Sequence, residues 1–158
     1  MTKTCPEFAL KWITRQRAKV DRIACPWLIL KFVDPEAKFI FVQPEKVIEL
    51  AQTEGATPFD VKGVELGHHE GKCTFDAIIE KYRLTDPALL EAAKIVRGAD
   101  IHDYNLAKES LGLEAIAEGF RLISKDDYEN MERQFPVYDA LYAYCKMRVA
   151  GSGSTSQP

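Results

Sequence analysis

Residues 25–55 read CPWLILKFVDPEAKFIFVQPEKVIELAQTEG, and the way this stretch divides decides the fold. Proline suits the first position of a helix, where no amide hydrogen is needed. Pro26 therefore predicts a helix that starts with Cys25 as its N-cap and ends before Pro35. KFIFV (38–42) is short and rich in β-branched and aromatic side chains, so it reads as a strand. PEKVIELAQTEG (44–55) has proline at its start, acid in its first turn and Gly55 as a stop, which predicts a second helix. The motif is helix, strand, helix.

Working outward, the lead-in 1–20 has no sustained period and reads as a strand with a basic arm. Residues 57–72, TPFDVKGVELGHHEGK, are glycine-rich, with short β-type pieces expected around Asp60–Val61 and Val64–Leu66. Thr74 is a candidate cap for a helix over 75–83, and Asp86-Pro87 starts another over 88–100 whose end is set at Gly98. Two more helices are expected over 112–123 and 126–150, the last kinked or divided by Pro136. The expectation is an α+β fold, predominantly α-helical, with five or six helices and a few short strands within 38–66. Residues 1–150 read as a single domain and GSGSTSQP (151–158) as a disordered tail.

Hydrophobic residues at 46% and charged residues at 28% fit a globular chain that folds without metals or disulfides. A net charge of -3 gives no overall case for binding nucleic acid or a membrane surface. Cysteines at 5, 25, 73 and 145 form no CxxC pair, and the opening residues lack a signal-peptide pattern. Reduced thiols and a cytoplasmic location are the expectation. No run of apolar residues is long enough to span a bilayer. Signatures for dinucleotides (GxGxxG), nucleoside triphosphates (Walker loop) and serine hydrolases (GxSxG) are absent. Homo-oligomerisation is left open.

Two segments could carry chemistry. VELGHHEGKCTFD (64–76) holds two of the three histidines among Glu65, Glu70 and Asp76, and GADIHDYN (98–105) holds the third. If 64–69 is extended, neighbouring side chains point apart, so one histidine at most joins a site, with His69 the bystander and Cys73 assigned to packing. His68 with Asp100, then Glu65 and His102, are the candidate ligands of a divalent ion. Such a mixed imidazole–carboxylate set suits zinc, iron(II) or manganese. The plain alternative is that these residues only form turns, as Asp and His beside glycine often do.

The second segment is KVDRIACPWLI (19–29), in which Lys19 and Arg22 precede the expected helix start. Free helix amides beside a guanidinium favour an oxyanion, and Cys25 at that helix end would be an activated thiolate. Arg22 and Cys25 are thus the candidate catalytic residues, and Lys19 and Arg22 the anion-binding pair. Against this stands a core role for Cys25 and Trp27, with Asp21 and Arg22 pairing with each other or with neighbours.

Four blocks resemble the ChrB-type chromate resistance family: TRQRAKVDRIACPWLILKFVDPEAKFIFV (14–42), TPFDVKGVELGHHEGKCTFDAII (57–79), IVRGADIHD (95–103) and VYDALYAYC (137–145). The similarity is to the domain that ends the longer members, and it covers about residues 13–148. It implies a cytoplasmic protein connected with chromate resistance and a small anionic ligand such as chromate. The longer members are described as chromate-responsive regulators, and in them another domain comes first. No helix-turn-helix pattern stands in this chain, so nucleic acid is not the expected partner of this domain alone. Three functions are carried forward: a metal-assisted pocket that binds or transforms a small anion, a metal-free oxyanion sensor with a redox-active Cys25, and a regulator that binds DNA or protein through the basic arm 11–22.

Overall fold

The computed structural model describes residues 10–151. Strand β1 (Lys11–Arg15) lies between β2 (Lys38–Val42) and β3 (Thr57–Pro58) in a three-stranded sheet. Both pairings are parallel, with Lys11 opposite Lys38 and Trp12 opposite Thr57. Parallel neighbours need crossover connections. Helix α1 (Val20–Phe32) leads from β1 to β2. A 3-10 turn (Pro44–Lys46) and α2 (Val47–Glu54) lead from β2 back across to β3. Consecutive strand residues point to opposite faces. Accordingly Trp12 joins the main core with Ile23, Ala24 and Leu28 of α1, while Ile13 joins a smaller cluster with Val47 and Ala51 of α2. The two helices therefore cover opposite faces, and chain direction across the sheet reverses at β1.

Four further helices extend the main core: α3 (Thr74–Lys81), α4 (Pro87–Asp100), α5 (Glu109–Ile123) and α6 (Asp127–Gly151). Phe75 and Ile78, Leu89 and Val96, Leu113 and Ala117, and Tyr138 and Cys145 supply one buried pair each. Asp127 ties the start of α6 to the β1–α1 turn, because its carboxylate accepts the backbone N–H groups of Arg17 (2.9 Å) and Ala18 (2.6 Å). The fold is α+β and predominantly helical. No helix among the described residues is long and apolar enough to cross a membrane.

The boundaries differ from expectation at informative places. Helix α1 starts at Val20, not at Cys25, and holds Pro26 inside it. Proline there deprives the Arg22 carbonyl of its helical donor, a cost offset by burying Val20, Ile23, Ala24 and Trp27 along one side. Helix α4 runs through Gly98 to Asp100. Gly98 is a packing residue: a Cβ there would lie 2.3 Å from Ser110 Oγ, so only glycine lets α4 and α5 approach this closely. Cys73, not Thr74, occupies the N-cap of α3, with the Asp76 side chain closing a capping box. Residues 60–61 and 64–66 are not strands; Asp60 has φ +51, which a strand does not admit. Strand β1 falls in the lead-in that reads as a strand, so the strands are not confined to 38–66, and α6 continues unbroken past Pro136. Gly151 closes α6, while the rest of the expected tail, residues 1–9 and Cys5 lie outside the described residues.

Candidate metal centre

The carboxyl ends of β1 and β3 lie side by side, and a crevice opens beside them. Three segments reach it: the start of α1, the long connection from β3 to α3, and the last turn of α4.

Asp21, in the first turn of α1, is 1% exposed. Its Oδ2 accepts the N–H of Thr74 at 2.7 Å, and its Oδ1 accepts the N–H of Phe75 at 3.1 Å and the Cys25 thiol at 3.3 Å. It thus satisfies the first amides of α3, where negative charge is favoured. Asp60 follows β3; its Oδ1 accepts the Thr74 hydroxyl at 3.0 Å, and its Oδ2 lies 3.4 Å from Arg22 Nε and 3.5 Å from Arg15 Nη2. A bond from Asp60 N–H to the Leu66 carbonyl (2.8 Å) folds the connection back and brings His68 over the crevice. His68 Nε2 then stands 2.8 Å from Asp100 Oδ2, 3.2 Å from Asp60 Oδ1 and 3.6 Å from Asp21 Oδ2.

Three carboxylates around one imidazole have clear electrostatic consequences. Burial, then the charges of Asp100 and Asp60, push the Asp21 carboxyl up to about 7. Hydrogen bonds to Asp100, Asp21 and Asp60, in that order, push the His68 imidazolium up to about 12. Crowded acids hold a proton because it reduces their repulsion. A divalent cation does the same with twice the charge. One ligand atom each from Asp21, His68 and Asp100 lies within 4.8 Å of the other two. Ligands sharing an ion at about 2.0–2.2 Å sit roughly 3 to 3.4 Å apart, and the observed 2.8 and 3.6 Å from His68 straddle that value. The donor set is nitrogen and oxygen, with His68 half-exposed and open to ligand entry. These residues fit a divalent ion of the zinc, iron(II) or manganese kind.

Other expected site residues stand elsewhere. Glu65 is exposed and pairs with Lys81 at 3.3 Å. His102 pairs with Glu114 at 3.0 Å and with Tyr104, away from this group. His69 is fastened by Nε2 to the Glu65 carbonyl at 2.8 Å. Cys73 is buried, as its packing role requires.

The activated thiolate expected at Cys25 is overturned. Cys25 lies within α1, fully buried, and desolvation followed by the charges of Asp21 and Asp60 holds its thiol well above the ordinary range. Cations do not face it; a carboxylate does. Arg22 is likewise no free anion cradle. Its Nη1 donates to the carbonyls of Arg15 (3.0 Å) and Gln16 (2.9 Å), and its Nε faces Asp60, so it clamps the end of β1 to α1. Lys19 points to Glu118 at 3.8 Å.

Asp21 and Asp60 are the residues that sequence reasoning passed over. Asp21 had a legible signal: it shares its helix face with Ala24, Cys25 and Leu28, and an acid on an apolar face needs a partner. Asp60 gave less, since its role depends on a left-handed backbone that DV in a glycine-rich stretch does not announce.

Comparison with known proteins adds three findings. The family model described as ChrB, C-terminal domain, matches residues 12–145. Protein ChrB of Cupriavidus metallidurans is 29% identical over 135 residues, which cover 85% of this chain and 40% of that protein. The chain therefore spans well under half the length of that relative. No solved structure matches.

Proposed function

Because this chain belongs to the ChrB C-terminal domain family, we propose that it is a chromate-resistance domain whose crevice holds a divalent metal ion and presents it to a small anionic ligand. The observation that carries the reading is the meeting of His68 Nε2 with carboxylates from three separate elements, Asp21, Asp60 and Asp100. A structural histidine needs one partner. Three converging acids, two of them buried, would be costly without a cation to balance them.

In this reading His68, Asp21 and Asp100 are the ligands. The ion supplies Lewis acidity to an anion bound at an open position. Asp60, whose Oδ1 lies 3.2 Å from the same Nε2, places a further negative charge beside the ion, and Arg15 and Arg22 in turn hold Asp60. The α3 amides of Thr74 and Phe75 fix Asp21 with one oxygen turned to the crevice.

The metal-free sensor is the weaker reading, because Lys19 and Arg22 are engaged by Glu118 and Asp60 and the Cys25 thiol stays protonated. The regulator acting through the basic arm is weaker for a similar reason. Of its five basic residues, Lys11, Arg15, Lys19 and Arg22 all face acids. Elemental analysis of protein purified without chelator tests the proposal. About one equivalent of a divalent transition metal is expected, and it is lost in His68→Ala. Metal-free protein that takes up no manganese, iron(II) or zinc on titration contradicts it.

A further inference from the structure

Beside the metal centre, a cavity of about 300 Å³ opens between the end of β1 and the β3–α3 connection. Arg15, Lys62 and His69 stand along it, with His68 at one wall and Val61 and Val64 at another. We infer that this cavity is the anion subsite of the centre, taking a small oxyanion with two negative charges, and that Arg15 and Lys62 are its binding residues. This rests on the metal reading above for the role of the His68 wall, but the cations stand independently of it.

Charge balance leads to this assignment. Asp21 and Asp100 together match a divalent ion. Asp60, itself on the cavity wall, is shared between Arg15 and Arg22, and Arg22 also feels Asp127 and Asp100. Lys62 is exposed and has no acid partner among the described residues. Two cationic side chains, Arg15 and Lys62, therefore face one small cavity, which suits a dianion better than a singly charged ligand. Arg15 is also well held for the task. Its Nε donates to the Asp60 carbonyl at 3.1 Å and its Nη2 faces the Asp60 carboxylate at 3.5 Å, which fixes the guanidinium plane while leaving further N–H groups for a ligand. Arg22, the residue expected for this role, has its donors turned to backbone carbonyls instead.

The test is calorimetric titration of sulfate into the full chain at fixed ionic strength, with nitrate as the singly charged control. Wild type, Arg15→Gln and Lys62→Ala are each measured metal-free and after loading with Mn²⁺. Sulfate is expected to bind wild type at least about tenfold more tightly than nitrate, and to weaken at least about tenfold in each variant, while Lys62→Ala leaves Mn²⁺ stoichiometry unchanged. If Arg15→Gln disturbs folding, as circular dichroism would reveal, the exposed Lys62→Ala carries the comparison alone. Equal sulfate affinity in wild type and variants overturns the subsite, as does no sulfate binding in either metal state. Failure of wild type to take up Mn²⁺ sinks the metal reading instead. Sulfate binding to that metal-free protein, lost in the variants, would still support the cavity assignment.

Discussion

His68 and His102 invite comparison, since each stands beside a carboxylate at hydrogen-bonding distance. His68 lies 2.8 Å from Asp100 and His102 lies 3.0 Å from Glu114. Their own exposure differs little, 46% against 57% for the side chains. The difference lies in the acids. Around His68 stand Asp21, Asp60 and Asp100, at 0, 7 and 15% side-chain exposure and from three separate elements. Beside His102 stands Glu114, one carboxylate at 25% exposure, shared with the Tyr104 hydroxyl. Water screens a partly exposed pair of that kind, and such pairs contribute little. Buried acids that cannot separate are what set His68 apart as the proposed ligand.

Substitutions at the two histidines should break the comparison most visibly. His68→Ala and Asp100→Asn are expected to reduce bound metal from about one equivalent to less than about a tenth, measured by elemental analysis after gel filtration. His102→Ala should leave it unchanged. Asp60→Asn, which removes a negative charge beside the ion but no ligand, should weaken Mn²⁺ binding about 10–100-fold without abolishing it. Equal losses at His68 and His102 would erase the distinction drawn here.

Acidity sharpens it next. A metal must displace the proton that His68 holds with a value near 12, so Mn²⁺ affinity should rise about tenfold per pH unit between pH 6 and 8. Below pH 7 a second proton, on Asp21, should steepen the slope. A flat affinity profile in calorimetry would speak against His68 as a ligand.

Stability of the metal-free protein should follow a related trend of opposite sign. Asp21 titrates near 7 when folded against 3.8 as its ordinary value, so between these the native state holds the proton and the unfolded chain has released it. Stability contributed by that proton is present below about pH 4 and is lost as pH rises through 7. Urea melts at pH 5 and pH 7.5 should therefore differ more for wild type than for Asp21→Asn. Cys25 offers the smallest effect: native iodoacetamide labelling should spare it, and unfolding should expose it.

Local signals in the sequence carried much of this fold. KFIFV matches β2 residue for residue, Gly55 ends α2 with φ +63, and Asp86-Pro87 starts α4. Where sequence reasoning failed, distant packing overrode a local rule. Pro26 reads as a helix start, yet the apolar face of α1 begins at Val20 and carries the helix through it. Gly98 reads as a stop, but its lack of a side chain serves Ser110 of α5. The same limit applies to the proposed centre. The meeting of His68 with Asp100 was readable in the sequence, whereas Asp21 and Asp60 join them only through the parallel crossovers. Those crossovers put the ends of β1 and β3 side by side, and no spacing in the chain encodes that.

An anomalous difference map at the manganese edge, from crystals grown with Mn²⁺, tests the centre most directly. The expected result is one peak about 2.0–2.3 Å from His68 Nε2 and from one oxygen each of Asp21 and Asp100. An empty crevice in crystals soaked to saturation, or a peak held by His102 and Glu114 in its place, would contradict the account.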